Sequence, residues 1–336
     1  MPVTSRDVAR EAGVSVATVS RVLNNSGPVK EATRQRVREA AQQLRFTPNS
    51  TARSLSTRTT GTIGVLLPDL HGEFFSELIR GIDQVAQRRG YHLLVSSAHN
   101  QPHQLESAVH AMRGRVDGLI LMASGLAAAT LEQTLPDHLP VGLMNAETDR
   151  TRYDVVNIDN CGGARAMTEH LLRLGHRDIR MIGGADPNRD ALERIRGFHL
   201  ALAVAGIPRP DDWVEPGDFS EASGARAARK LLSEPVPPTA IFAANDSMAV
   251  GALSAVRAAG LSVPADVAVV GFDDIPIAAF SDPPLTTVRV SIARVSELLT
   301  ERLFTSIRAG NANAHTQETV STELVIRRSC GAKRRW

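Results

Sequence analysis

Apolar positions recur at helical spacing three times in the first 45 residues, and each recurrence is bounded by residues that start or stop a helix. Val8, Ala9 and Ala12 mark one face of a short segment, Val19, Val22 and Leu23 a second, and Val37, Ala41 and Leu44 a third across residues 30–44. Thr4 followed by Asp7 fits a capping box, and a carboxylate there suits the positive end of a helix. Ser15 offers a second N-cap, and Gly13 between the segments can take the positive φ that turns the chain. The pattern predicts two short helices joined by a tight glycine turn, then a third helix. That is the geometry of a helix-turn-helix. In it the exposed start of the second helix, Val16, Ala17 and Thr18, reaches base edges in the major groove, with Ser20 and Arg21 further along. An ordinary αα-hairpin carries the same local signature, so the rest of the chain has to decide.

Residues 49–60, NSTARSLSTRTT, hold one large apolar side chain, Leu55. They read as a linker with too little apolar surface to offset the cost of ordering. From Gly61 the pattern changes. A β-branched apolar run at 62–67 is followed by a helical pattern at 72–89 and then by alternation: strands at 91–97, 117–123 and 140–144, helices at 103–113 and 127–135. A second run starts near Val155, with helices at 161–174, 190–205, 221–232 and 246–259 and strands at 179–182, 239–243 and 267–271. A helix at 292–308 and a strand at 318–326 come last and must return to one or both sheets. Buried strands alternating with helices predict an α/β chain of two doubly wound parallel sheets, a weak internal duplication. A cleft then lies at the strands' carboxyl ends, where this class binds ligands.

Composition narrows the function. A length of 336 residues points to two or three compact units. The net charge of +2 conceals an uneven distribution: residues 1–60 carry ten Lys/Arg against four Asp/Glu, and the remainder 28 against 32. A basic head on a slightly acidic body implies a polyanionic partner for the head alone. Arg34, Arg36, Arg38 and Arg45 on the outer face of the third helix either face phosphates or form a solvated face. Cys161 and Cys330 make neither a disulfide framework nor metal spacing and read as incidental thiols of a reducing cytoplasm. No apolar run reaches bilayer length, and the N-terminus enters a capped helix rather than a signal peptide, so a cytoplasmic protein without a membrane partner is expected. There is no G-x-G-x-x-G, Gly-Lys pair, G-x-S-x-G or H-E-x-x-H, and the ten histidines are scattered. No catalytic residue, cofactor or metal ligand is assigned, and the enzyme reading falls.

The head VAREAGVSVATVSRVLN and the linker PNSTARSL precede Arg194-Ile-Arg-Gly197-Phe198 and Phe242-Ala-Ala-Asn245-Asp246. Met248-Ala249-Val250-Gly251, Val270-Gly271-Phe272-Asp273-Asp274 and Pro284-Leu285-Thr286-Thr287-Val288 follow. In this order, over essentially the whole chain, these segments resemble the lactose-repressor/galactose-repressor (LacI/GalR) family of bacterial transcription regulators. The body resembles type I periplasmic sugar-binding proteins, which lack a DNA-binding head. The resemblance implies a helix-turn-helix domain at 1–47, a hinge at 48–60 and an effector-binding and dimerisation domain at 61–336. Within that domain the N-subdomain covers about 61–158 and 290–317, and the C-subdomain about 159–289 and 318–330.

The same resemblance implies contacts to near-palindromic operator DNA from Thr4, Ser15, Val16, Ala17, Thr18, Ser20, Arg21 and Asn24, and from Asn49, Ala52 and Leu55 of the hinge. Leu55 is implied to wedge into the minor groove, unstacking a central base step, and two hinges meeting there require a homodimer. Val16 and Ala17 replace a Tyr-Gln pair found in some members and cannot make bidentate hydrogen bonds, so apolar contact with a thymine methyl and shape would discriminate. Arg21 reaches either a guanine edge or a phosphate. For the cleft, the resemblance assigns effector contacts to Arg194, Asn245 and Asp273, an aromatic wall to Phe219, and weaker candidates in Phe74 or Phe75, Asn145 and Asp69. Asn245 can also cap the helix that follows it. A planar fork, an amide and a carboxylate suit vicinal hydroxyls, so the implied effector is a sugar, with a purine or other metabolite as the alternative. The tail from Ser329 is short, basic and without leucine heptads, and no tetramer is expected.

Overall fold

The computed structural model describes residues 3–24, 27–46, 59–99, 101–147, 152–207, 213–310 and 315–331. The chain divides into one compact unit ending at Gly61 and a second beginning at Thr62.

The head consists of α1 (Ser5–Glu11), α2 (Val16–Leu23) and α3 (Glu31–Gln43). The Asp7 carboxylate accepts from the Thr4 N–H at 3.0 Å and from the Thr4 hydroxyl at 2.7 Å, which holds it below its ordinary pKa. Gly13 takes φ +63° between α1 and α2, and Ser15 accepts from the Thr18 N–H at 3.2 Å. Val8, Ala9, Ala12, Val19, Val22, Val37, Ala40 and Ala41 form a separate core, so each helix buries one stripe.

The second unit holds two all-parallel sheets. The first is built from β1 (Thr62–Leu67), β2 (His92–Ser97), β3 (Gly118–Met122), β4 (Val141–Met144), β5 (Asp154–Ile158) and β11 (Gln317–Val320), in the order β11-β5-β4-β3-β1-β2. Its helices are α4 (Glu73–Arg88), α5 (Pro102–Met112), α6 (Ala128–Thr134) and α12 (Ile292–Ala309). The second sheet is β6 (Ile179–Ile182), β7 (Val214–Glu215), β8 (Ala240–Ala243) and β9 (Ala268–Val270), in the order β7-β6-β8-β9. With it go α7 (Asn160–Arg173), α8 (Arg189–Val204), α9 (Glu221–Leu232), α10 (Asp246–Ala258) and the short α11 (Ile277–Phe280). Central strands such as β3, β4 and β8 are buried along their whole length, as sheets covered on both faces require.

Two expectations change. The strand near Val155, read as the start of the second run, is β5 and pairs with β4 in the first sheet. The single strand expected at 318–326 is two. β11 pairs with β5, so 318–320 join the first sheet rather than the second half. β12 (Glu323–Val325) pairs antiparallel with β10 (Thr287–Arg289). A two- or three-residue strand such as β7, β10 or β12 leaves no periodic trace in sequence. The chain passes between the halves three times: after β5, between β10 and α12, and between β11 and β12.

Candidate functional site

On the head, Val16 opens α2 with 44% of its surface exposed, and Ser15, Ala17, Ser20 and Arg21 are exposed beside it, with Thr18 and Asn24 partly so. Exposed Val and Ala at a helix start, next to arginine, suit a groove rather than a core. The Asn24 amide donates to Ser20 Oγ at 3.2 Å, which places it as the C-cap of α2. Thr4 is exposed at the start of α1. Asn49, Ala52 and Leu55 lie outside the described residues.

In the second unit a cavity of about 340 Å³ opens between the two sheets at their strands' carboxyl ends. The first half contributes Asp69 after β1, Phe74 and Phe75 from α4, and His71, His99 and Met122. The second contributes Asn188, Asp190 and Arg194 around the start of α8, Asp218, Phe219 and Ser220 before α9, Asn245 before α10, and Asp273 after β9. Seven of the eight cleft residues named from sequence thus line one cavity. Asn145 does not. It is buried behind the cavity, where its carboxamide accepts from the Ile158 N–H at 3.0 Å and donates to Asp190 at 3.1 Å.

Arg194 is the centre. Its Nε donates to Asn160 Oδ1 at 2.8 Å, Nη1 donates to the Ala244 carbonyl, Nη2 lies 3.0 Å from Asp273 Oδ1, and the guanidinium sits 3.8 Å from the centroid of the Phe272 ring. The contact with Asp273 pairs the two charges inside the cavity wall. Asp190 is a buried carboxylate that the sequence reading did not single out. It receives Ser124 Oγ at 2.7 Å and Asn145 on one oxygen and Asn160 Nδ2 at 3.0 Å on the other. Ser124 and Asn145 belong to the first half and Asp190 to the second, so this network stitches the halves together at the cavity wall. Asp190 precedes Arg194 by one helical turn, a spacing that could have marked it.

Asn245 Oδ1 accepts the Met248 N–H at 2.9 Å and Nδ2 donates to the Phe219 carbonyl at 3.0 Å, so it caps α10 and lines the cavity at once. The half-buried Phe219 ring packs on Gly184, where a Cβ would come within 2.2 Å of it. Phe74 and Phe75 meet edge to face with centroids 5.6 Å apart. Asp69, on the cavity lining, accepts through Oδ1 from the backbone N–H groups of Leu70 and His71.

Among the described non-glycine residues with positive φ, His99 (45°), Phe219 (69°) and Asp273 (105°) line the cavity, and Asn145 (51°) and Asp274 (57°) adjoin those that do. Such conformations are costly for residues with a Cβ and collect where surrounding structure enforces them. At Asp273 the enforcement is visible. Its N–H donates to the Val288 carbonyl at 2.8 Å, its carbonyl accepts from Val290, and Asp274 is held by Arg289 and Arg327, each at 2.7 Å.

Burial pushes the Asp190 carboxyl above its ordinary range despite Arg194, and lifts Asp273 to about 6, with Asp190 adding repulsion. Asp246, bonded to Thr287 Oγ1 and the Ile275 N–H, is pushed up by burial and by Asp273. Carboxyls raised in the folded state bind protons that the unfolded chain has released, so their contribution falls as pH rises from about 4 through 6. The ligand-free second unit is therefore expected to lose about 2 kcal/mol of stability from Asp273 alone between pH 4.5 and 7.5. The depressed carboxyls Asp7 and Asp218 act in the opposite sense but have little burial. Urea titrations across that range measure the sum, and a rise in stability toward pH 7.5 would contradict it.

These features define a DNA-binding regulator whose second unit carries a cleft between two sheets, and comparison with known proteins gives the family. Residues 4–49 match the model of the bacterial regulatory proteins of the lacI family, and residues 168–330 match a periplasmic binding protein-like domain. The chain is 38% identical over 301 residues to the HTH-type transcriptional regulator GalS of Salmonella typhimurium strain LT2, covering 89% of this chain and 88% of that one. It is 35% identical to the HTH-type transcriptional repressor PurR of Aliivibrio salmonicida, covering 97% and 98%. The crystal structure of the Lac repressor dimer bound to operator and the anti-inducer ONPF superposes with a TM-score of 0.86 at 31% identity, covering 99% of this chain and all of that one. The transcriptional regulator CelR in complex with cellobiose gives 0.72 at 30%, covering 97% and 99%. The chain belongs to the LacI family of DNA-binding transcriptional regulators. No helix among the described residues is long and apolar enough to cross a membrane.

Proposed function

We propose that the protein is a cytoplasmic, homodimeric repressor of a carbohydrate-utilisation operon, whose operator affinity is set by a sugar bound between the two halves of its second unit. The observation that carries the reading is the Asp190–Arg194–Asp273 row, which faces the cavity from one half and is tied through Ser124 and Asn145 to the other. A ligand there alters how the halves meet. The CelR–cellobiose complex and the operator-bound Lac repressor dimer support the sugar and the dimer. On DNA, Val16, Ala17 and Arg21 read the major groove, supported by Thr4, Ser15, Thr18, Ser20 and Asn24, while Asn49, Ala52 and Leu55 act as the hinge in the minor groove. The rings of Phe74, Phe75 and Phe219 favour a second reading, a planar metabolite such as a purine, over which aromatic walls would stack.

Coupling between the sites is reciprocal, so the factor by which effector weakens operator binding equals the factor by which operator weakens effector binding, about 5- to 150-fold. Fluorescence titration of effector with and without a saturating operator duplex measures it. Identical effector affinity in the two titrations would refute the proposed control.

A further inference from the structure

We infer that the cleft selects an uncharged, monosaccharide-sized polyol and excludes sugar phosphates and uronates, with Asp190 as the residue that sets the exclusion. The inference rests on the reading of this cavity as the effector site.

Charge carries it first. Four carboxylates, Asp69, Asp190, Asp218 and Asp273, line the cavity, against one guanidinium, Arg194, among its described lining residues. That guanidinium is already engaged by Asn160, Ala244, Asp273 and the Phe272 ring. Beside His71 and His99, a phosphate or carboxylate entering here meets four acids and no lysine or second arginine among the described lining residues.

Helix ends are the second observation. The N-termini of α8, α9 and α10 all border the cavity and would ordinarily attract an anion. Each is closed from within. Asn188 caps α8 through the Ala191 N–H, Ser220 caps α9 through Ser223, and Asn245 caps α10 through Met248. Each also carries an acid in its first turn, Asp190, Glu221 and Asp246. The positive ends of these helices are therefore satisfied by neutral caps and offset by carboxylates before any ligand arrives.

The polar groups still open on this lining are the exposed carboxylates of Asp69 and Asp218 and the remaining N–H bonds of Arg194 and Asn245. Hydroxyl groups match that mixture because each donates and accepts. At about 340 Å³ the cavity lies near the lower end of small-molecule sites, which run from about 300 to 1,000 Å³.

The test is isothermal titration of the full-length protein at pH 7.5 with matched sets. These are glucose, glucose 6-phosphate and glucuronate; galactose, galactose 6-phosphate and galacturonate; ribose and ribose 5-phosphate; and hypoxanthine with inosine monophosphate. The expected result is that a neutral sugar binds and its phosphate and uronate bind about 100-fold more weakly. A phosphate or uronate that binds as tightly as its parent overturns the exclusion while leaving the sugar reading intact. Binding by hypoxanthine alone, or by no member at millimolar concentration, overturns both. Asp190→Asn is expected to narrow the gap about tenfold, and an unchanged gap in the folded variant removes Asp190 as its determinant. Should that variant fail to fold, Asp218→Asn at the exposed rim tests whether cleft carboxylates exclude anions, and an unchanged gap there overturns the charge account.

Discussion

Replacing Arg194 by alanine is expected to destabilise the second unit by about 3–5 kcal/mol at pH 7.5 and to abolish the response to effector. The guanidinium is 4% exposed and is the countercharge of Asp273 and Asp190, both buried. Without it two carboxylates remain in a low-dielectric site with only neutral donors around them. Asn160 Oδ1 and the Ala244 carbonyl lose their donor as well, and a buried unsatisfied acceptor costs about 1–3 kcal/mol. The loss has a ceiling because a buried carboxyl that cannot be paired takes up a proton.

That ceiling makes the prediction pH-dependent. Asp273 already titrates near 6 with Arg194 beside it, and removing the cation moves it higher. The penalty is therefore expected to shrink by pH 5.5, where Asp273 is mostly protonated in both proteins, and to be largest above pH 7. Urea unfolding at the two pH values measures this, and a penalty that is constant or larger at pH 5.5 would show that lost packing on Phe272, rather than lost charge, dominates. Arg194→Lys keeps the charge but cannot reach Asn160, Ala244 and Asp273 from one planar fork, so it restores stability in part and effector binding little.

The contrast between Arg194 and Asp190 shows what the chain discloses when read one residue at a time. Caps, a glycine turn and apolar spacing are local, and for that reason Thr4, Ser15, Gly13 and the inward faces of α1–α3 are readable without a structure. The cleft residues that stand in recurring segments, Arg194 with Gly197, Asn245 with Asp246, Asp273 with Asp274, were readable through their neighbours. Asp190 was not, because its meaning comes from Ser124, Asn145 and Asn160, which lie 66, 45 and 30 residues away. His71, His99, Asn188, Asp218 and Ser220 escape for a different reason: their hydrogen bonds are local, and only the fold brings them to one cavity. For Asn145 the sequence gives the neighbourhood alone, since a strand-end position does not say whether a side chain faces the cavity or the Asp190 network beside it.

Gly197→Ala is expected to cost about 3 kcal/mol or more and to weaken effector binding, though alanine is the better helix former by about 1 kcal/mol. The helix-propensity gain is real but smaller than the clash. A Cβ at 197 would stand 2.2 Å from the Cys161 carbonyl oxygen and 2.9 Å from the Arg165 nitrogen, both backbone atoms of α7. Backbone cannot rotate away as a side chain does, so α8 must move off α7. Because α8 also carries Arg194 and Asp190, one and two turns earlier, the displacement reaches the cleft directly. Gly251 and Gly224 make the equivalent close crossing of α9 and α10, where a Cβ at 251 would lie 2.0 Å from the Glu221 carbonyl. Gly251→Ala is accordingly expected to lose comparable stability while leaving the Arg194–Asp273 row in place. Melting curves and effector titrations of the two variants separate the cases. Equal effector affinity in both at matched stability would show that the α7–α8 contact does not set the position of Arg194.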